Sequence, residues 1–208
     1  MMVWGGVGFG LLVGSILWYA ARGLARRYGV LPSFDAWGFL LILGLGGVGG
    51  ISVYLWGWFW AVDVVVVTAL LAGVALIDRW TLRIPNRWLA LLAVWSGIQM
   101  LVWGVPDVRW ALLGAITTGG TFALLAWWWR GALGWGDVKF LSVLGLLLGF
   151  PQVWWGVFLG MILGGVVIGV MLALRRVARH DVVAYGPYLA LGGWWAFLHM
   201  IWDMGVKR

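Results

Sequence analysis

Apolar stretches of membrane-spanning length alternate with short polar segments along the whole chain. A helix that crosses the hydrocarbon core of a bilayer needs about 20 predominantly apolar residues, with 17 to 25 as the usual range. By this criterion the pattern predicts eight spans, over residues 3–21, 38–57, 62–78, 87–104, 110–129, 138–152, 154–174 and 183–202. The boundaries between spans 2 and 3 and between spans 6 and 7 are the least defined, because Phe150-Pro151-Gln152 suits either a turn or a kink.

Composition supports the same interpretation. Of the 208 residues, 64% are hydrophobic and the mean hydropathy is +1.01, whereas soluble domains are about half apolar. We therefore expect an all-α, polytopic membrane helix bundle that forms a single domain over residues 1–208. The first span lacks a charged N-terminal region and a clear small-residue cleavage site, so we do not expect a cleavable signal peptide.

The basic residues predict the orientation of the bundle. Eleven of the 14 fall in alternate loops: Arg22, Arg26, Arg27, Arg79, Arg83, Arg87, Arg130, Lys139, Arg175, Arg176 and Arg179. By the positive-inside rule these loops are cytoplasmic, and both termini lie outside. The net charge of +7 is scattered between apolar spans, so it indicates topology and not a nucleic-acid surface.

Glycine is abundant, with 34 residues, and much of it recurs at a spacing of four. Small residues at this spacing allow helices to approach closely in lipid. We expect packing roles for Gly10/Gly14, Gly46/Gly50, Gly145/Gly149 and Gly156/Gly160/Gly164.

The chain offers few groups for catalysis. It has no cysteine, only two histidines and no HExxH motif, so no metal site or cofactor is expected. All seven acidic residues are Asp, and the topology places Asp78 and Asp137 at the start of two different cytoplasmic loops. The other five are interpreted as loop or helix-end residues without a catalytic role: Asp35, Asp63, Asp107, Asp181 and Asp203.

Two carboxylates held close together cannot both ionise at low cost, so the pair shares a proton. The ionised member can take a proton from water while the protonated member donates to a carbonyl oxygen. This is the chemistry of peptide hydrolysis by an aspartic protease. A carrier that uses the two aspartates as a proton relay is an alternative, and a non-catalytic scaffold is a third.

Three segments resemble the type IV prepilin leader peptidases, which are membrane aspartic proteases with a G-x-G-D signature. Residues 134–139, Gly-Trp-Gly-Asp-Val-Lys, look like the family's G-x-G-D-x-K loop, and residues 76–78 with Ile84-Pro85-Asn86 resemble the segment of its first aspartate. Residues 184–192 resemble its last-helix motif. The resemblance implies an endopeptidase of the inner (cytoplasmic) membrane, with Asp78 and Asp137 as catalytic residues. It also implies the substrate, a prepilin-like precursor in which a short basic leader precedes an apolar helix and is cleaved off.

The supporting residues implied by the same motifs are Pro85, Gly134, Gly136, Lys139, Gly186 and Pro187. Lys139 pairs with a carboxylate or a headgroup, or extends to the interface. Gly186-Pro187 shapes the cleft or kinks a helix. Longer family members carry a cytoplasmic insert with two Cys pairs, associated with N-methylation of the product. Here the corresponding loop runs only from Arg22 to Trp37, so the resemblance implies a peptidase-only form.

Overall fold

A computed structural model describes residues 2–29, 36–129, 134–178 and 183–206, without the side chains of residues 36–41 and 205–206. Asp35 and Asp181 lie outside the described residues. Within them the chain forms seven helices and no strand, which confirms the all-α prediction: α1 (Met2–Arg27), α2 (Ala36–Thr81), α3 (Asn86–Trp103), α4 (Val108–Trp128), α5 (Trp135–Leu148), α6 (Gln152–Ala173) and α7 (Gly186–Val206).

Four helical segments are long and apolar enough to cross a membrane, and they support an integral membrane protein. They are α1, residues Ile42–Thr81 of α2, α4 and α6. Helix α2 is interrupted at Gly57, whose φ of 77° and ψ of 173° are not helical. We call the two halves α2a (36–56) and α2b (58–81). The interruption lies where the apolar pattern separates the second and third predicted spans.

Glycines allow the helices to pack backbone against backbone. A Cβ added to Gly10 of α1 would clash with the backbone of Leu45 in α2a, and one added to Gly145 of α5 would clash with the backbone of Gly114 in α4. These close approaches explain the regular glycine spacing, because any larger side chain would push the helices apart.

Several helix ends differ from the sequence-based boundaries, among them the end of α1 at Arg27 and the start of α5 at Trp135. Helix α5 ends at Leu148, and Gly149 follows with a φ of 71°, so Phe150-Pro151 forms a turn before α6 and not a kink. Helix α7 begins at Gly186, not at residue 183, which places Pro187 in the first turn. Proline is tolerated there because the first N–H groups of a helix have no intrahelical partner.

Candidate active site

Asp78 lies in the last turn of α2b and is only 6% exposed. Its Oδ2 accepts a hydrogen bond of 2.9 Å from the backbone N–H of Gly186, at the start of α7. The end of α2 is stabilised locally by Thr81, whose hydroxyl donates to the carbonyls of Ile77 at 2.7 Å and Arg83 at 3.0 Å. Asp78 is therefore held between a helix end and the N-terminus of a second helix.

Asp137 lies in the first turn of α5, outside the four membrane-spanning segments. Its backbone N–H donates to the carbonyl of Gly134 at 3.0 Å, which begins the helix directly after the glycine turn. Burial, followed by the nearby charge of Asp78, raises the pKa of Asp137 to about 6. This electrostatic effect shows that the two carboxyl groups interact although the chain separates them widely.

Both aspartates line one cavity of about 360 Å³. The other lining residues come from the end of α1, the α2–α3 connection and the start of α5: Tyr28, Leu82, Arg83, Ile84, Pro85, Asn86, Gly134, Gly136 and Lys139. The cavity holds acidic, basic and aromatic groups. The structure thus brings together the two carboxylates that sequence analysis placed on the same face.

The predicted supporting residues occupy different positions around this cavity. Pro85, Gly134, Gly136 and Lys139 line it. Gly186 contacts Asp78 through its backbone N–H, and a Cβ at this position would lie 2.7 Å from Asp78 Oδ2. Pro187 is not among the lining residues.

Lys139 binds an amide, and not a carboxylate, in the described part of the chain. Its Nζ donates to Asn86 Oδ1 at 3.1 Å. This bond joins the first turn of α5 to the first residue of α3. Lys139 therefore connects α5, which contains Asp137, to the start of α3, which follows Asp78 in the chain.

Sequence analysis missed Tyr28 and did not single out Tyr185. Tyr28 follows α1 and lines the cavity, a contact that no local pattern in the sequence indicates. Tyr185 precedes α7 and donates its hydroxyl to the carbonyl of Met161 at 3.0 Å. Burial, followed by the charge of Asp137, raises the pKa of Tyr185. The sequence signal that could have identified Tyr185 is its position directly before Gly186-Pro187.

Asp63 lies near the start of α2b, the end of the third predicted span at which sequence analysis placed it. It is fully buried inside α2b, and its Oδ1 accepts a hydrogen bond of 2.9 Å from the indole N–H of Trp95 in α3. Fifteen residues of helix separate it from Asp78, which corresponds to about 22 Å. Asp63 is therefore remote from the cavity.

The arrangement can perform acid–base chemistry without another reactive group. Two interacting carboxyl groups can hold one proton between them, so one serves as base while the other serves as acid. Among the described residues, no group of three or more His, Asp or Glu side chains could hold a metal ion.

Comparisons with known proteins agree with the motifs. The model of the type IV leader peptidase family matches residues 64–169, about half of the chain and including both Asp78 and Asp137. A prepilin leader peptidase/N-methyltransferase of Stutzerimonas stutzeri is 28% identical over 200 residues, which cover 88% of this chain and 65% of that protein.

Two further relatives carry the same name. The protein of Aeromonas salmonicida (strain A449) is 30% identical over 150 residues, covering 68% of this chain and 49% of that protein. The protein of Burkholderia pseudomallei (strain 1026b) is 33% identical over 136 residues, covering 60% of this chain and 42% of that protein. The chain thus spans less than two thirds of the length of these curated relatives. No solved structure matches it. The family match, which includes both aspartates of the shared cavity, shows that the chain belongs to the type IV leader peptidase family.

Proposed function

We propose that this protein is a membrane aspartic endopeptidase that removes the short basic leader from prepilin-like precursors at the cytoplasmic face of the inner membrane. The observation that carries the proposal is the convergence of Asp78 and Asp137 on one cavity. The names of the relatives support the class of substrate. A proton-coupled carrier is less consistent with this site, because carriers usually bind near the middle of the membrane.

In this mechanism the active form of the dyad holds one proton, and Asp137 is the member that carries it because Asp78 accepts the backbone N–H of Gly186. The N–H of Gly186 stabilises negative charge on Asp78 Oδ2. Asp78 takes a proton from the attacking water while Asp137 donates its proton to the oxygen of the scissile carbonyl. As the tetrahedral intermediate collapses, the C–N bond breaks, the proton held by Asp78 passes to the leaving amine, and one hydroxyl group of the intermediate returns its proton to Asp137.

Eight membrane crossings with both termini outside fit this function. α2a and α2b count as separate crossings because the chain reverses at Gly57. As a result, Gly10 of α1 lies against Leu45 of α2a, while Trp18 of α1 lies against Trp80 of α2b. The asymmetric distribution of basic residues supports a cytoplasmic position for the ends of α2b and α6 and the starts of α3, α5 and α7. This orientation presents the dyad to a leader that has not crossed the membrane.

We further propose that the protein cleaves its substrate without N-methylating the product. The supporting observations are the absence of cysteine from the sequence and the interval of only eight residues, 28–35, between α1 and α2. Mass spectrometry of a processed precursor, in cells without another methylase, should show an unmodified N-terminus. A product heavier by one methyl group, formed only when this protein is present, would contradict the proposal.

The peptidase function is tested by co-expression with candidate precursors. Cleavage should appear as a leader-sized shift in mobility, and Asp78→Asn and Asp137→Asn should each abolish it. Asparagine has almost the same size as aspartate, but it can neither accept the water proton nor return one to the leaving amine. The double variant should be scarcely worse than either single variant, because groups that act as a unit are strongly non-additive.

Asp63→Asn is the matched control, since Asp63 is also buried but lies remote from the cavity. It should keep most of the activity. Substantial cleavage by either dyad variant, at matched expression, would reject the mechanism.

A further inference from the structure

Helix α5 packs against α3, α4, α6 and α7, and these helices together with α2b form a ring that is open at one junction. α3 packs on α2b, α2b on α7, α7 on α6, and α6 on α4. α3 and α4 each pack on α5, but within the described residues they do not pack along each other. Residues 104–107 connect them at the end of the bundle opposite the dyad. We call this opening the α3–α4 seam.

The seam leaves one stripe of α5 uncovered. From Val138 to Gly149 most positions are buried, whereas the exposed or half-buried positions recur at spacings of three and four, the period of one helix face. These positions are Lys139, Ser142, Val143 and Leu146, and Phe150 in the turn after α5 continues the stripe. The stripe extends over about 16 Å. On the α4 side Gly119 lies directly against Ser142, since a Cβ at Gly119 would clash with its hydroxyl.

The seam continues into the dyad cavity. Lys139 belongs to both, because it begins the stripe and lines the cavity together with Asp137. Its bond to Asn86 Oδ1 connects α5 to α3 at this mouth. A chain lying along the stripe would therefore meet the carboxylates at the end of the seam.

The α3 side of the seam is built from small residues. Starting at Asn86, which contacts α5, the same helix face continues through Ala90, Ala93 and Gly97. A Cβ at Gly97 would meet no heavy atom within 4 Å, so open space lies beside the helix at this point. Small residues beside open space allow another helix to approach closely in lipid.

We propose that the α3–α4 seam is the docking site for the apolar helix of the precursor, with the end that carries the leader at Lys139. This inference rests on the proposed peptidase function. The continuity between seam and cavity places the start of a docked helix beside the dyad. The stripe matches about eleven residues of helix at 1.5 Å each, so only the first three turns of the substrate helix need to be recognised.

Cysteine cross-linking tests the position of the substrate helix, because the chain has no native cysteine. Val143→Cys lies in the seam, about 12 Å from the start of α5 and about 9 Å from Asp137. The control Phe158→Cys lies on α6, about 9 Å from Gly164, which packs against Tyr185 directly before α7. Phe158 is 54% exposed and Val143 only half-buried, so simple access to lipid favours the control. The partner is a precursor with one cysteine about eight residues into its apolar helix. Asp137→Asn is present in both enzymes to prevent turnover.

A disulfide to Val143→Cys but not to Phe158→Cys is the expected result. If the parent protein cleaves the precursor and Val143→Cys forms no cross-link, or no more than Phe158→Cys, the seam is not the docking site although the peptidase function stands. Cross-links only between two copies of Val143→Cys would show that a second copy covers the seam, and would also overturn the proposal. If the parent cleaves no precursor, the peptidase function fails and the docking proposal fails with it.

A pair of glycine variants gives a kinetic readout. Gly97→Leu fills the open space of the seam, and Gly169→Leu places the same side chain in open space on α6. Gly97→Leu should raise KM by about tenfold with little change in kcat, because it obstructs binding without touching the dyad. Gly169→Leu should leave both constants unchanged. Equal effects of the two variants, or no effect of Gly97→Leu, would contradict docking in the seam.

Discussion

The backbone N–H of Gly186 donates to Asp78 Oδ2 at 2.9 Å, across 108 positions of the chain. This bond connects the start of α7 to the end of α2b and fixes one carboxylate of the dyad. Only a residue without a side chain fits here, because a Cβ would lie 2.7 Å from Oδ2 and 3.0 Å from Cγ of Asp78. The glycine is thus required for its close approach to the catalytic group.

Gly186→Ala should therefore reduce cleavage by at least about tenfold, since displacement of a catalytic group by a fraction of an ångström has effects of this size or larger. The variant should still insert and accumulate. The measurement is the steady-state rate at which each variant cleaves a precursor that the parent protein processes. Gly165→Ala, where the added methyl group meets open space on α6, is the control and should behave like the parent. Equal kinetics for the two variants would show that the contact does not position Asp78.

The pKa of Asp137 predicts how the stability of the protein depends on pH. Burial and the charge of Asp78 raise this pKa from 3.8 to about 6, so the folded protein holds the proton more tightly than the unfolded chain does. The corresponding stabilisation is complete below pH 3.8 and is lost as the pH rises to about 6. Above pH 6 the ionised group costs on the order of 3 kcal/mol of folding free energy.

Asp137→Asn removes this cost because the amide stays neutral. The variant should unfold at a higher temperature than the parent at pH 8, and the two melting temperatures should converge at pH 4. Thermal unfolding in a mild detergent at both pH values is the measurement. A variant that is less stable than the parent at pH 8 would show that the carboxylate of Asp137 is stabilised in the fold and that the sign of the effect is wrong.

The helices were largely predictable because membrane spans depend on long apolar runs that a single sequence displays directly. The convergence of Asp78 and Asp137 was predictable for a related reason, since the charges around them place both at the same end of the bundle. The sequence predicted a loop between the second and third spans. In the structure only Gly57 is non-helical at this point, and helix continues on both sides of it. Apolar periodicity alone cannot distinguish a loop from a single non-helical residue.

The contacts between helices were not predictable. The burial of Asp63 depends on Trp95, and the approach of Tyr28 to the cavity depends on how α1 packs against α2a. The bond between Lys139 and Asn86 depends on the rotation of α5 relative to α3. Each contact joins residues on different helices, and the apolar pattern of a single helix carries no information about its neighbours.

The packing of α2b against α3 predicts the effect of a core substitution. Trp88 is 1% exposed, its indole N–H donates to the carbonyl of Leu70 at 2.9 Å, and its ring leaves no space for a Cβ at Gly73. Gly73→Ala should destabilise the fold by about 1–3 kcal/mol, the usual cost of overpacking. Gly120→Ala, which meets open space on α4, should not. Thermal unfolding of the two variants provides the comparison, and similar melting temperatures would contradict it.

The charge asymmetry predicts which end of the bundle faces the cytoplasm. Leu174 and Val108 are 63% and 56% exposed and lie at opposite ends of the bundle. A cysteine at Leu174 should react only when a thiol reagent reaches the cytoplasm, whereas a cysteine at Val108 should react from outside. The absence of native cysteine removes background labelling. The reverse pattern would invert the orientation and place the dyad on the wrong side for a cytoplasmic leader.

The bond between Lys139 Nζ and Asn86 Oδ1 predicts an energetic coupling between the two segments that carry the dyad. Asn86→Leu and Lys139→Met each remove one partner, and each should lower kcat/KM, because the start of α5 is no longer held against the start of α3. If the bond positions the dyad, the double variant should lose much less than the product of the two single losses, since the second substitution removes nothing further. Asn86→Asp should retain activity because a carboxylate accepts the same bond from the ammonium group, and this bond is stronger when the acceptor is charged. The measurement is kcat/KM of all four variants on a precursor that the parent protein cleaves. Additive losses, together with loss of activity in Asn86→Asp, would show that the two residues act separately and that the bond does not position Asp137.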